Sequence, residues 1–527
     1  MSPLSLSNLP AEILLHIALD LKRPSHRLQL ALCSRAFSEL FLPLVFLDIK
    51  LEDCDVKAVI ALVQTLLRNP QIASCTRTLE INDWETELNY DGRSYDPTET
   101  LPSPKSELVF DQELISDSAR RLFTASDEHA LSKFLAHLSA GNEDAWISLL
   151  LFSVPNLKKL KLSVPYGCAF PCRLFERVAA RLPPFDSRPA FAHLSHVFAK
   201  WYDTENCLQS HVLEPFFFFP SVRSIAGEQI TDYMSTQEGE DDEDEEEEDE
   251  YDQSNSVYDD RTAILGYSKN KPTTSAVTEI DMSGSDTNNG FVRQIKLCKN
   301  LTSFRFEHAD SFEYDSNFFP RDFAHSLIHV RHSLEHLWLS YDDYRFNGAP
   351  YEGDETFGSL AGFSVLKSLY IPAKSLIGTD ALGSSSDDEH DASLNSTDHL
   401  RLLTILPASL ESLRLAHVSK REFTGVIRHL KNLVEPSNFS QYTPRLGFLE
   451  IEGDFACSDE PNQPGIMMTL DKPEPKIPEK FLAQTVELED LCETVGVEFE
   501  VSDSHILMFR ELKQQQNEYR KRQAGID

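Results

Sequence analysis

The clearest pattern along the chain is a six-residue phrase with apolar residues at its first, fourth and sixth positions. Well-formed copies begin at Leu157, Leu301, Leu334, Leu366, Leu410 and Leu446. Weaker copies lie near residues 79, 191, 222 and 277. Alternating apolar residues over so short a stretch predict a strand that is buried on one side, preceded by a turn that buries one more apolar residue.

Between these predicted strands, apolar residues follow helical spacing, as from Phe323 to Arg331 and from Phe423 to Leu433. Strands and helices that alternate repeatedly along a chain in this way stack side by side into a solenoid with a parallel sheet. The pattern therefore predicts an α/β fold, and the phrase resembles the leucine-rich-repeat superfamily in its irregular form. An ordinary α/β domain with a parallel sheet is the alternative, and the sixfold repetition of the phrase argues against it.

The first fifty residues carry a different pattern. Pro10 suits the first turn of a helix, and Glu12 complements the positive end of its dipole. A second helix is predicted from about Pro24 to Phe41. A segment this short rarely builds a self-sufficient core, so its apolar surface is expected to need a partner. The first helix would present one apolar stripe, formed by Leu9, Ile13, Leu14, Ile17 and Leu21.

The Leu-Pro-x-Glu-Ile-Leu opening at Leu9 and the segment from Leu28 to Phe37 together resemble an F-box. Many family members carry Trp where Phe37 stands, and Phe keeps the aromatic burial without the indole donor. The resemblance covers roughly residues 5 to 50 and implies binding to the Skp adaptor subunit and, through it, to cullin. The residues that it places against the Skp adaptor are Leu9, Pro10, Ile13, Leu14, Ile17, Leu28 and Leu32. An ordinary helical core would show the same stripe, and the Pro10-x-Glu12 opening with the repeats behind it favours the F-box.

These patterns divide the chain into three parts: an F-box-like helical domain at 5–50, a leucine-rich-repeat-like solenoid at 51–502 and a helical tail at 503–527. Three stretches of the solenoid, at about 91–105, 237–274 and 378–396, hold too few apolar residues to offset chain entropy and are predicted to be disordered insertions. A last helix is expected from Glu479 to Glu493 and a last strand from Val495 to Val501. The basic tail would cap the end of the solenoid.

The net charge of −36 is large, and an uninterrupted run of eleven acidic residues at 240–250 supplies part of it. Such a charge disfavours non-specific contact with nucleic acid or anionic lipid. Nine scattered cysteines fit free thiols in a reducing compartment. No charged and apolar leader precedes residue 8, and no apolar run approaches the roughly 18 residues that span a bilayer. We therefore expect an intracellular protein, cytoplasmic, nuclear or both, with neither nucleic acid nor membrane as a partner.

No motif predicts catalysis. Glycine-rich phosphate loops, the G-x-S-x-G elbow and the H-E-x-x-H helix are all absent. His325, His329 and His332 stand at helical spacing, but no carboxylate or thiol accompanies them at matching spacing, so a polar helix face is the simpler interpretation. Cys168 and Cys172 lack the second pair of a zinc site. We expect a non-enzyme without catalytic, cofactor-binding or metal-binding residues.

The predicted function is that of an adaptor: the substrate-recognition subunit of a Skp–cullin–F-box ubiquitin ligase, with a target protein bound by the variable positions of the strands. The residues expected to contact this target are Trp338 and Tyr370 as aromatic anchors, with Arg305 and Arg414. Other variable positions are Lys158, Lys159, Lys161, Glu335, His336 and Glu450. The alternative is a non-ligase acidic repeat scaffold or chaperone for basic proteins, with the acidic run as its binding segment.

Overall fold

A computed structural model of the chain describes residues 6, 9–21, 23–52, 54–86, 107–203, 206–232, 275–287, 289–309, 318–341, 356–383, 400–456 and 474–523. These residues form two compact units. The first holds the described residues up to Ile230 together with 275–277, and the second holds Thr231, Asp232 and the described residues from Thr278 onward. The predicted insertions at 91–105 and 237–274 lie outside the described residues, as does the part of 378–396 that follows residue 383.

Three helices open the first unit: α1 (Ala11–Asp20), α2 (Pro24–Leu32) and α3 (Arg35–Val45). The prediction of a single helix from about Pro24 to Phe41 is wrong. Ser34 has extended backbone, and its hydroxyl oxygen accepts the backbone N–H of Phe37 at 3.1 Å. A side chain that caps in this way starts a new helix, so α2 ends and α3 begins at this point.

A small core joins these three helices, formed by Leu14, Ala18, Ala31 and Phe41. The buried guanidinium of Arg27 joins them a second time. Its Nε donates to the carbonyl oxygens of Ala18 and Leu21, both at 3.1 Å, and its Nη1 donates to the carbonyl oxygen of Leu44, also at 3.1 Å. Carbonyls at the end of a helix lack intrahelical donors, so one side chain of α2 satisfies the end of α1 and part of α3.

The rest of the first unit is built around five parallel strands whose order follows the chain. These are β1 (Asp48–Leu51), β2 (Thr78–Ile81), β3 (Lys159–Val164), β4 (His196–Trp201) and, after the short β5 (Leu208–Gln209), β6 (Ser224–Glu228); the short β7 (Ile230–Thr231) follows outside this sheet. The helices are α4 (Val56–Arg68), α5 (Pro70–Ala73), α6 (Gln112–Arg120), α7 (Glu128–Ala140), α8 (Glu143–Ser153) and α9 (Phe170–Ala179), with 3-10 turns at Ala125–Asp127, Ser210–Val212 and Glu214–Phe218.

The second unit is built around seven parallel strands, again in chain order. These are β8 (Glu279–Ser285), β9 (Ser303–His308), β10 (His336–Tyr341), β11 (Ser368–Pro372), β12 (Ser412–Val418), β13 (Phe448–Gly453) and β14 (Glu498–Asp503). The helices are α10 (Val292–Leu297), α11 (Pro320–Leu327), α12 (Ala373–Ile377), α13 (Thr379–Leu382), α14 (Arg401–Ile405), α15 (Phe423–Val434), α16 (Pro436–Tyr442), α17 (Glu479–Val495) and α18 (Ser504–Gln523), with a 3-10 turn at Ile328–Val330.

The repeated phrase accounts for this architecture. In β10 the fourth and sixth positions of the phrase, Leu337 and Leu339, are buried, and the first position, Leu334, is buried in the turn before the strand. The parallel register sets Leu337 beside Phe304 of β9 and Leu369 of β11. Each such side chain contributes about 1.5–3 kcal/mol when fully buried. The predicted α/β fold with a parallel sheet is confirmed.

Helices cover the buried side of the sheet. In the second unit, the ring of Phe323 on α11 lies 4.7 Å from the ring of Phe306 and 6.0 Å from that of Phe304, centroid to centroid. On α15, Gly425 comes so close to α13 that a Cβ atom would clash with the carbonyl oxygen of Leu382. The helices are therefore packed without space for an added methyl group at this contact.

We expect Gly425→Ala to destabilise the second unit, because the backbone of α13 has to move away from the new methyl group. The cost should be about 1–3 kcal/mol in the free energy of unfolding, which exceeds the gain in helix propensity from Gly to Ala. Chemical denaturation followed by circular dichroism measures it. Thr424→Ala, at the exposed neighbouring position of α15, is the matched control and should change stability by less than about 1 kcal/mol.

A second expectation concerns pH and the first unit. His137 on α7 is fully buried, and its Nδ1 lies 3.0 Å from the side-chain nitrogen of Asn142, which donates to it. Burial lowers the pKa of His137 from 6.5 to about 4. Between these values the unfolded chain binds a proton that the folded chain does not, so stability is lost as pH falls from about 6.5 towards 4.

From pH 7.5 to pH 5.0 this single histidine should remove roughly 2 kcal/mol from the free energy of unfolding. Urea unfolding at the two pH values measures the change, and His137→Gln should show a smaller loss than the unchanged chain by about that amount. His129→Gln, at an exposed position of the same helix, should leave the loss as it was. An equal loss of unfolding free energy in the unchanged chain and in His137→Gln would show that His137 is not the cause of the pH dependence.

Candidate functional site

Alternate residues of β8–β14 lie on the side of the sheet opposite to Phe304, Leu337 and the other buried positions of the repeated phrase. We call this surface the strand face. The parallel register aligns its middle positions into one row, which consists of Asp281, Arg305, Trp338, Tyr370, Arg414, Glu450 and Glu500. All four residues that the sequence analysis expected to contact a target protein therefore lie side by side in this row.

The two aromatic residues of the row stack on each other. The rings of Trp338 and Tyr370 lie 3.7 Å apart, centroid to centroid, and are inclined by 4°. The guanidinium of Arg305 lies 5.0 Å from the Trp338 ring. Three neighbouring strands thus contribute one continuous stack, which holds each ring in a fixed orientation and reduces the entropy that an exposed aromatic loses on binding.

Tyr370 is more deeply placed than its neighbour, with 5 % of its surface exposed. Its hydroxyl donates to a carboxylate oxygen of Glu452 on β13 at 2.8 Å. Burial and the negative charge of Glu452 raise the pKa of Tyr370 far above its ordinary range, so the hydroxyl stays protonated. Tyr370 therefore supports Trp338, whose ring is the more accessible of the pair.

Both arginines of the row are held by carboxylates of the same face. Arg305 lies 3.7 Å from Asp281 and 3.4 Å from Glu307, nitrogen to oxygen. Arg414 lies 3.3 Å from Glu450, and its guanidinium stands 5.2 Å from the Phe448 ring. Their charges are thus neutralised within the protein, which leaves less positive potential for an acidic partner than the two residue types alone would indicate.

The remaining variable positions named above are divided between the two units. Lys158, Lys159 and Lys161 are exposed at and before β3 in the first unit. Glu335 of the second unit pairs with Lys367, and this hydrogen bond lowers the pKa of the Glu335 carboxyl. His336 is exposed at the start of β10. The spacing of the repeated phrase predicted that these residues lie at or beside strands. It did not predict the Glu335–Lys367 ion pair or the separation of the residues into two units.

The first unit carries a second candidate surface, on α1 and α2. Ile13 and Ile17 of α1 and Leu28 and Leu32 of α2 are apolar side chains exposed by 37 to 76 %, and Pro10 is exposed just before α1. We call these five residues the N-terminal apolar face. Leu19 of α1, exposed by 46 %, is not one of them. Leu14, by contrast, is buried in the small helical core, and Leu9 packs against that core. Five of the seven residues named for Skp-adaptor binding are therefore accessible, and two support the helices from within.

Sequence reasoning missed two residues that organise these surfaces. Arg27 was not singled out, because an arginine in a polar helix segment gives no sign that it is buried and bonded to carbonyl oxygens. Glu452 was not named either, although it stands two residues after Glu450 in a strand. The alternation of strand residues would have placed both glutamates on the same face.

The described part of the chain contains no group of three or more His, Cys, Asp and Glu side chains arranged to hold a metal ion. His329, from the histidine trio, lies with Nδ1 2.9 Å from the carbonyl oxygen of Ser326 and Nε2 3.0 Å from that of Ile295. The Cys168 and Cys172 sulfur atoms are 3.6 Å apart and buried. No helix among the described residues is both long and apolar enough to cross a membrane.

Comparison with known proteins agrees with the repeat architecture. The family model described as a leucine-rich repeat domain matches residues 55–238 and 266–452, which is more than half of the chain. A search of the curated proteins finds no significant match. The matched segments begin after α1–α3, and no F-box family matches these helices, so the F-box resemblance stays a prediction. Repeat by repeat, the strand register and the buried phrase agree with the match: the chain belongs to the leucine-rich-repeat domain family.

Proposed function

We propose that this chain is the substrate-recognition adaptor of a Skp–cullin–F-box ubiquitin ligase. Leucine-rich-repeat domains are typical of proteins that bind other proteins, so the family supports a protein partner in general. The ligase assignment goes further. It rests on the F-box resemblance of residues 5 to 50 together with the exposure of the N-terminal apolar face.

The observation that carries the proposal is the exposure of Leu32, Ile13 and Ile17, at 76, 47 and 37 %. Each fully buried side chain of this size gains about 1.5–3 kcal/mol. Ile13 and Ile17 stand one turn apart on α1, so two such side chains are left in water together, which favours an interaction site. The core beneath is complete without them, since Leu14, Ala31 and Phe41 are buried. The exposed side chains therefore remain free to bury themselves against a second protein.

In this function the chain contributes proximity and no bond-making step. The N-terminal apolar face binds the Skp adaptor, which links the chain to cullin. The strand face holds the target protein, with the Trp338 ring as its aromatic anchor. A target held near the ubiquitin carrier meets it at a high effective concentration, which raises the rate of transfer. The reacting groups belong to the other subunits.

Co-purification of the full chain with a Skp adaptor subunit tests the proposal. We expect the unchanged chain to bind, and the double variant Ile13→Asp, Leu32→Asp to bind about 100-fold more weakly or not at all, because two charges then enter an apolar interface. Isothermal titration calorimetry gives the affinities. Both changes lie at exposed positions, so the helices should stay folded, and circular dichroism checks this.

Leu19→Asp is the matched control, because Leu19 is 46 % exposed on the same helix but lies on another side of it from Ile13 and Ile17, given 3.6 residues per turn. It should leave the affinity for the Skp adaptor within about threefold of the original. A folded, unchanged chain that does not bind the adaptor would overturn the ligase assignment. The acidic scaffold for basic proteins would then be the better account of the repeats.

A further inference from the structure

The strand face of the second unit carries more carboxylates than cations. Its outward positions hold seven acidic residues and two arginines. The acidic residues are Glu279, Asp281, Glu307, Glu450, Glu452, Glu498 and Glu500, and the arginines are Arg305 and Arg414. The five parallel strands of the first unit differ, since Lys50, Lys159, Lys161 and Lys200 there stand against Asp48, Glu80 and Glu228. The excess of acidic over basic residues is thus a property of the strand face and not of the corresponding positions in the first unit.

This face already binds guanidinium groups in a particular way. Arg305 lies over the ring of Trp338 and against Asp281 and Glu307, at the distances given above. Arg414 lies near the ring of Phe448 and against Glu450. In both places an aromatic ring and at least one carboxylate share one cation, which combines cation–π attraction with a charge-assisted contact. The chemistry that fits this face is therefore visible twice within the protein itself.

The last two strands set two further carboxylates beside the Phe448 ring, which Arg414 already approaches from β12. The register sets Phe448 of β13 beside Glu498 of β14, and Glu450 beside Glu500. Glu498 and Glu500 are exposed, and none of the described residues forms an ion pair with either of them. The Phe448 ring is half-buried. A side chain with an apolar stem and a positive end could lie along this ring and reach both carboxylates.

We propose that the β13–β14 side of the strand face binds a basic segment of the partner protein, with an arginine or lysine side chain against Phe448, Glu498 and Glu500. This inference deepens the proposed function and rests on it for the use of the strand face as the target-binding surface. Extended peptides present side chains on alternate sides, so one segment can place several cations along a row of strands. The partner class is thus a protein with an exposed basic segment.

Charge complementarity selects this class over an acidic partner. The two arginines of the face are neutralised by Asp281, Glu307 and Glu450, so the potential of the face is set by carboxylates such as Glu498 and Glu500, which pair with no cation among the described residues. An acidic segment would meet repulsion at Glu498 and Glu500, whereas a basic one replaces solvent and counter-ions there. Such contacts determine which partner is accepted and how fast it associates.

The test measures binding of a labelled nine-residue peptide of alternating arginine and serine to the full chain, by fluorescence anisotropy at about 150 mM salt. We expect Glu498→Gln, Glu500→Gln to weaken binding about tenfold or more relative to the unchanged chain. The matched control is Asp490→Asn, Glu493→Gln, which removes two exposed charges of the same sign from the neighbouring helix α17 and should change binding less than threefold. The acidic run at 240–250 can bind the same peptide, so all three proteins carry its eleven acidic residues replaced by Asn and Gln.

Equal weakening by the two double variants would overturn the inference, because it would show that the peptide senses net charge alone. No weakening by Glu498→Gln, Glu500→Gln would overturn it as well. Skp-adaptor affinity, measured on the same variants, separates this inference from the ligase assignment. If only Glu498→Gln, Glu500→Gln weakens peptide binding, the basic partner class is supported even where the chain does not bind the adaptor. If the chain binds the adaptor but this variant does not selectively weaken peptide binding, the ligase assignment stands and this inference is wrong.

Discussion

The structure depends on the parallel pairing of strands whose apolar positions are in register. Leu337 is aligned with Phe304 and Leu369 because each occupies the fourth position of its phrase, and burial of that position fixes the register of the next strand. A slip by one residue would expose the buried leucines and bury the charged positions. The same constraint that builds the core therefore orders the opposite side, where it sets Arg305, Trp338 and Tyr370 beside one another.

That ordering gives the repeats a continuous row of outward side chains. Each of the seven strands contributes one outward side chain to the middle row, and the shared register aligns these side chains across the sheet. Stacking of Trp338 on Tyr370, and the hydrogen bond from Tyr370 to Glu452, then fix the aromatic centre. The first unit reaches a comparable result by other means, since Arg27 holds α1 and α3 from α2 and leaves Ile13, Ile17 and Leu32 outside the core.

The repeated phrase predicted β9 to β13 and β3 because apolar periodicity reports directly on burial. It missed β1, because Ile49 and Leu51 follow the helices without a full phrase. Helical spacing in turn predicted one helix in place of α2 and α3, because apolar spacing does not reveal that Ser34 caps a helix. For the candidate site, the periodicity located Arg305, Trp338, Tyr370 and Arg414 on one side of their strands. It could not reveal that the arginines are neutralised, because Asp281 and Glu450 lie on neighbouring strands, and alternation alone does not show that Glu307 pairs with Arg305 within β9.

We propose that the chain binds an adaptor subunit through one surface and a target through another. Amide hydrogen exchange of the full chain, alone and with the Skp adaptor, distinguishes the two surfaces, because exchange reports where a partner covers or stabilises the backbone. We expect slower exchange within residues 11–45 and unchanged exchange in strands β9 to β14. Unchanged exchange at residues 11–45 in the presence of saturating adaptor, or protection confined to the strands, would show that the adaptor does not bind through α1–α3.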